Sequence, residues 1–519
     1  MAGRLVWLPR ATGGGRCAGV LWFLGADGGA ALVARACSAA GEGLGMQATS
    51  FTRTREGVST VRVMAGAPRT RLAKLGDWMA RNRRRIAQLQ WAIVVLYFVL
   101  VAVPAFLPMP PEDARMFTSL TRFAQFAFWG VWWPFVIASM LLIGRFWCGV
   151  MCPEGALTEF AGRPGKGLPI PRWMRWPGWP LVGFLGTTLY GQLISVYEYP
   201  GPVLVILGGS TIAAIAVGIV YGRGKRVWCR YLCPVTGVFA LLARLAPVHF
   251  KVDRAAWDLQ PAHIPAVDCP PLLNVHALVS ASQCHSCGRC SGHRDAVALT
   301  LRRPGSEIVA SKPGDVGRYE ALLLLYGMLG FALGAFQWTM APGFVQAKQW
   351  LATWLVEHDV FWPLASNAPW WVMTHYPQVS DVFSWLDGAG IVAWLTGAAV
   401  LVGGFAHLAM VLGARAVRTD WKVLALSLVP MAAANLFLGL SMLTLTQLRT
   451  EGIVFHWLPQ ARLTLLAVAW LGCLALCVGQ LRRANLPVWR ASIATTLVAA
   501  AAAVPVLLWV RTLGLLAVF

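Results

Sequence analysis

Cys284, Cys287 and Cys290 stand at C-x2-C-x2-C spacing in a polar stretch. Three thiols so spaced on one loop can all point at one centre, the geometry that wraps an iron-sulfur cluster. Two cysteine pairs lie upstream. Arg145-Phe146-Trp147-Cys148-Gly149-Val150-Met151-Cys152-Pro153 and Arg226-Val227-Trp228-Cys229-Arg230-Tyr231-Leu232-Cys233-Pro234 agree position for position in Arg, Trp, both cysteines and Pro, so the chain carries an internal repeat. Residues four apart share a helix face, so both sulfurs of a pair can reach one centre, and the following Pro redirects the backbone. Cys148, Cys152, Cys229 and Cys233 make one candidate ligand set.

The second set is less regular. A bacterial ferredoxin motif ends in a fourth cysteine, C-x3-C-P, but Arg294 occupies that place. Cys269, followed by Pro270, is the replacement that joins Cys284, Cys287 and Cys290, with His285 or His293 as alternative fourth ligands. Four thiolates, or three and a histidine, also suit structural zinc, which stays open as the occupant of this set. Eight thiolates suit two [4Fe-4S] clusters, with exchange of ligands between the sets an open alternative.

The elements that must hold these residues are apolar. The chain has 519 residues, 57% of them hydrophobic and only 13% charged, a balance that fits an integral membrane protein rather than a soluble one. The net charge of +22 lies mainly in short clusters between apolar runs, as the positive-inside rule requires, so nucleic acid is not the expected partner. Nine spans are expected: 89–107, 120–144, 179–196, 203–221, 319–338, 391–413, 423–445, 463–480 and 491–510. Arg83, Arg84 and Arg85 anchor the start of the first span in the cytoplasm. On that topology each repeated cysteine pair arrives at the inner, cytoplasmic end of a membrane hairpin.

The expected organisation is therefore an all-α polytopic membrane protein with about nine transmembrane helices and a small cytoplasmic ferredoxin-like, cysteine-rich insert. Residues 1–86 form a basic, disordered segment whose first part can reflect a misassigned start. Residues 87–245 form a four-helix membrane region, 246–318 the iron-sulfur insert and 319–519 a five-helix membrane region. An insert of this size buries little core, so bound metal is expected to help hold it together. Cys473 and Cys477 repeat the four-residue spacing inside an apolar span without the Trp, Pro or basic flank, and are expected to be small packing residues. His407, the one histidine within a span, is expected to be a satisfied structural residue.

The paired F-W-C-G-x-x-C-P and V-W-C-R-x-x-C-P signatures, followed by a cysteine-rich insert, resemble the membrane polyferredoxins of the NosR and NapH type, and more distantly the Cu-oxidase accessory ferredoxin, over roughly residues 90–300. The resemblance implies [4Fe-4S] clusters that pass electrons between a quinol or a cytoplasmic donor and a redox partner, in support of metalloenzyme maturation or turnover, in a bacterial inner membrane. This sequence differs in carrying one incomplete ferredoxin motif instead of two full ones, and in lacking a recognisable periplasmic flavin-binding domain. No constellation of general acid, base and nucleophile accompanies the cysteines, so an electron carrier is expected rather than a catalyst. The competing class is a non-redox assembly factor or scaffold that binds zinc or copper; a transporter is third, because the spans hold few charges.

Overall fold

Nearly every apolar run becomes a helix in the computed structural model, which describes the backbone of residues 17–24, 30–39, 42–54 and 57–61 and residues 70–111, 113–260, 264–484 and 486–515. The chain divides into two units, residues 1–74 and 75–519. In the first, β1 (Cys17–Leu24), β2 (Ala30–Ala39), β3 (Glu42–Thr54) and β4 (Gly57–Val61) pair in order as an antiparallel meander. Composition led instead to a disordered segment; β-favouring runs such as Val20-Leu21-Trp22-Phe23 supply the local preference for strand. For residues 1–16, 25–29, 40–41, 55–56 and 62–69 that expectation lies outside the described residues.

In the second unit, eight helices among the described residues are long and apolar enough to cross a membrane. They are α1 (Arg83–Phe106), α2 (Leu120–Ile143), α5 (Pro200–Gly222), α8 (Arg318–Met340), α9 (Trp385–Val417), α10 (Trp421–Thr450), α11 (Leu458–Arg482) and α12 (Val488–Thr512). Between them lie α3 (Pro153–Ala161), α4 (Trp179–Leu193), α6 (Val227–Tyr231) and α7 (Thr236–Ala243). The third expected span is thus a helix of only 15 residues, about 22 Å at 1.5 Å per residue and short of a full bilayer core. It still runs from one end of the bundle to the other. Pro180 and Gly183 lie beside Gly237 and Pro234, while the Leu193 carbonyl at its far end accepts from the Thr374 amide. The α4–α5 hairpin therefore brings the second cysteine pair back to the end where the first one lies.

α10 and α8 are the central helices, with 89% and 78% of their apolar windows buried inside the protein against 22% for α5. Close approach is allowed by small residues, the device that membrane helices use where there is no water to expel. Gly330 of α8 meets the main chain of Ala398 and Ala399 in α9, and Gly403 meets Leu325 and Tyr326 in return. The hydrophilic insert is closed by two antiparallel strands, β5 (Val248–Val252) and β6 (Val297–Leu301), with Phe250 opposite Leu299.

Candidate metal centres

Gly144 ends α2 with a left-handed φ of +66°, which a residue without Cβ adopts at no steric cost. The chain then folds back instead of continuing outward. Residues 147–151 wind as one wide helical turn, and the Trp147 ring comes to 4.9 Å from Trp132 and 5.9 Å from Phe135, both on α2. Pro153 opens α3, where the missing N–H costs nothing, and α3 runs to Gly162, packed on Gly218 and Gly222 at the end of α5. The repeat does the same. After Gly222, Arg223 and Gly224 take positive φ, and α6 turns back so that Trp228 and Cys229 pack on Ala213, Ala214 and Val217 of α5.

The sequence reading put both pairs at the ends of their hairpins; the structure sets them deeper. Ser210 of α5 donates to the Glu154 carboxylate at 2.6 Å, and Trp228 Nε1 donates to the same group at 3.0 Å. Ser210 and Ala214 lie 12 and 8 residues inside Gly222, which corresponds to about 18 and 12 Å along a helix. Irregular backbone at that depth is tolerated because protein surrounds it. There Cys148, Cys152, Cys229 and Cys233 all line one cavity of about 240 Å³ walled by aromatic rings, including Trp132 and Trp147.

The two repeated arginines hold the halves together reciprocally. Arg226, 1% exposed, donates to the carbonyl oxygens of Cys148 and Gly149 and pairs with Glu159 at 2.9 Å. Arg145, 4% exposed, donates to Thr236 Oγ1 at 2.7 Å, whose hydroxyl in turn donates to the Cys229 carbonyl, and to the Ser282 carbonyl of the insert. Each arginine of one repeat thus supports the cysteine turn of the other. Arg145 and the N-terminus of α3 line this cavity together with the Glu154 carboxylate, and the Gly155 amide donates to Cys152 Sγ at 3.4 Å; the cation, the helix start and the amide favour negative charge on sulfur.

In the insert, positive φ at Ser286, Gly288 and Gly292 curls the loop, and Cys269, Cys284, Cys287 and Cys290 line a second, smaller cavity of about 20 Å³. The Ser286 amide donates to Cys284 Sγ at 3.4 Å. Burial pushes the Cys284 thiol up to about 12 and raises Cys290 as well, so loading this site must displace protons. His285 also lines the cavity; His293 does not, and its ring packs on Trp257 at 4.9 Å. Among the described residues no three His, Cys, Asp or Glu side chains converge tightly enough for a single ion. Four thiols lining one cavity are a donor set that suits a cluster.

The two sites adjoin. Gly149 lies on the main chain of His285 and Cys287. Glu159 is shared by Arg226 and by Arg289 of the insert, and the Arg226 amide donates to the Pro270 carbonyl. Glu154, Glu159 and the reciprocity of the arginines escaped the sequence reading, although an Arg three residues before each first cysteine was part of the repeat. Cys473 and Cys477 are buried in α11 away from both cavities. His407 Nδ1 is 3.0 Å from the Tyr326 hydroxyl, and its ring packs on Trp421 at 4.3 Å.

The profile of a 4Fe-4S binding domain matches residues 125–171 and 206–253, one segment for each repeat. The chain is 24% identical over 233 residues to the electron transport protein YccM of Escherichia coli, covering 39% of this chain and 64% of that one. It is 26% identical over 211 residues to the regulatory protein NosR of Pseudomonas aeruginosa, covering 36% of this chain and 29% of that one. The match thus spans less than two thirds of either relative. No solved structure matches. These findings agree with a membrane polyferredoxin of the NosR/NapH type.

Proposed function

We propose that this chain, an integral membrane protein with a 4Fe-4S binding domain in two segments, is an electron carrier holding two [4Fe-4S] clusters. Cys148, Cys152, Cys229 and Cys233 ligate one; Cys269, Cys284, Cys287 and Cys290 ligate the other. The observation that carries this reading is the sorting of eight cysteines into two cavities of four, adjoining at Gly149 and Cys287. Such clusters change charge by one with little movement of their ligands.

The protein's own part is positional and electrostatic. Arg226 fixes the Cys148 carbonyl, Arg145 holds Thr236 on the Cys229 carbonyl, amides donate to sulfur, and aromatic walls keep water from the deeper set. Hydrogen bonding to sulfur and solvent exclusion are the levers by which a protein sets cluster potential. The cysteine end of the bundle faces the cytoplasm, in keeping with Arg81, Arg83, Arg84 and Arg85 at the start of α1. Electrons pass between a quinol or a cytoplasmic donor and a protein redox partner, in support of metalloenzyme maturation, as the resemblance to NosR-type proteins implies.

The test is anaerobic purification of the full chain. Iron and acid-labile sulfide near eight of each per chain, with visible absorbance that bleaches on reduction, support the carrier. A colourless protein with stoichiometric zinc or copper supports a scaffold instead and overturns it. Cys233→Ser and Cys287→Ser should each remove about half of the iron.

A further inference from the structure

A cavity of about 320 Å³ lies where the start of α1, the end of α3 and the return from α5 meet the insert. Arg83, Arg163, Arg223 and Arg289 line it, against Glu159 and Asp268. Both carboxylates are already engaged, Glu159 by Arg226 and Arg289 and Asp268 by Lys225. Among the described residues no carboxylate pairs with Arg163 or Arg223, and both are exposed. Arg163 instead lies over the Phe160 ring at 5.8 Å.

The opposite wall is apolar. Trp91 and Phe160, 41% and 50% exposed, meet edge to face at 5.0 Å on two helices that run into the bundle from this point. A free anion needs no such wall, whereas an amphiphile with a phosphate at its head needs both. Arginine forks match phosphate oxygens, and basic pockets between membrane helices suit anionic headgroups.

We propose that this cavity binds the phosphate of an anionic phospholipid between Arg163 and Arg223, with its acyl chains along Trp91 and Phe160. Gly149 and Cys287 form part of the same wall, so the bound headgroup covers one side of the insert's cysteine loop.

The test is native mass spectrometry of the full chain after exchange with vesicles of phosphatidylglycerol or phosphatidylcholine, with inorganic phosphate alone as a third arm. Wild type should retain the anionic lipid over the zwitterionic one, and Arg163→Gln with Arg223→Gln should weaken that retention about tenfold or more, as expected for two basic residues near a membrane surface. Arg163→Lys with Arg223→Lys should keep part of it; unchanged metal content certifies the fold of both variants. Equal retention of the two lipids by wild type, or an undiminished preference in the glutamine variant, overturns the proposal. Saturable uptake of inorganic phosphate that displaces the lipid assigns the site to the free ion and overturns the phospholipid as its source.

Discussion

Gly149 lies flat against the main chain of Cys287: a Cβ at Gly149 would stand 2.8 Å from the Cys287 nitrogen and collide with the His285 carbonyl oxygen. The corresponding residue of the second repeat is Arg230, which reaches Gln283 at 3.1 Å instead. The repeat is therefore asymmetric where the insert docks, and only its first copy must lack a side chain.

Gly149→Ala should push the insert off the membrane helices. The obstruction is backbone, which cannot swing aside, so the cost belongs at the upper end of about 1–3 kcal/mol for overpacking. Iron content should fall toward that of one cluster, with a lower thermal midpoint in detergent, whereas Arg230→Ala should change neither appreciably.

Arg226→Gln removes a buried cation from Glu159 and from the carbonyls behind the first cysteine pair. Breaking a buried pair from one side costs about 3–5 kcal/mol; Arg289 stays on Glu159 and holds the loss to the lower part of that range. Arg226→Lys keeps the charge but loses the planar fork, and should fall between. Asp268→Asn tests the contrast. Its partners are Lys225 and, at 3.9 Å, Arg289, and its side chain is 62% exposed, so about 0–1 kcal/mol is expected. Chemical denaturation of the four proteins in one detergent gives the order.

The insert should weaken in mild acid through His249. Burial, then the nearby Arg302 guanidinium, hold its pKa below the usual 6.5 against the opposing pull of Glu307 and the Pro247 carbonyl. The unfolded chain therefore binds a proton that the folded one resists. Stability from this group is complete above pH 6.5 and declines as pH falls below that value. Limited proteolysis of the insert should speed up between pH 7.5 and 5.5 in wild type, and less so in His249→Gln. An identical pH response in both removes His249 as the cause.

The placement of the cysteines around two cavities was legible because a repeat preserves spacing: two C-x3-C-P pairs announce a common place, and Cys269-Pro270 was the sole cysteine near the C-x2-C-x2-C loop that could join it. The depth of the first set was not legible. Hydropathy counts residues between polar ends, and the turns at Gly144 and Gly222 that send the chain back inward cost no change in composition. The shortness of α4 was hidden for the same reason, since Ile194 to Val196 extend the apolar run past the helix end. Gly149 looked like any glycine in a tight turn; its reason lies 138 residues downstream at Cys287.

Asn435 ties the C-terminal helices to the rest. Wholly buried in α10, it donates to the Met328 carbonyl of α8 at 2.6 Å and accepts from Trp509 Nε1 of α12 at 2.7 Å. Met328 lies in the wide-wound stretch Leu323–Phe331, where helical hydrogen bonding is relaxed and a carbonyl can serve a second donor. Interhelical hydrogen bonds in membranes average about 0.6 kcal/mol and reach about 1.7. Asn435→Leu breaks two and strands the Trp509 N–H, so a loss of about 1–2 kcal/mol is expected. Trp509→Phe removes that stranded donor, so Asn435→Leu combined with Trp509→Phe should cost less than the sum of the single changes. Strict additivity would mean that the two side chains do not communicate, and that α12 is held to α10 by packing alone.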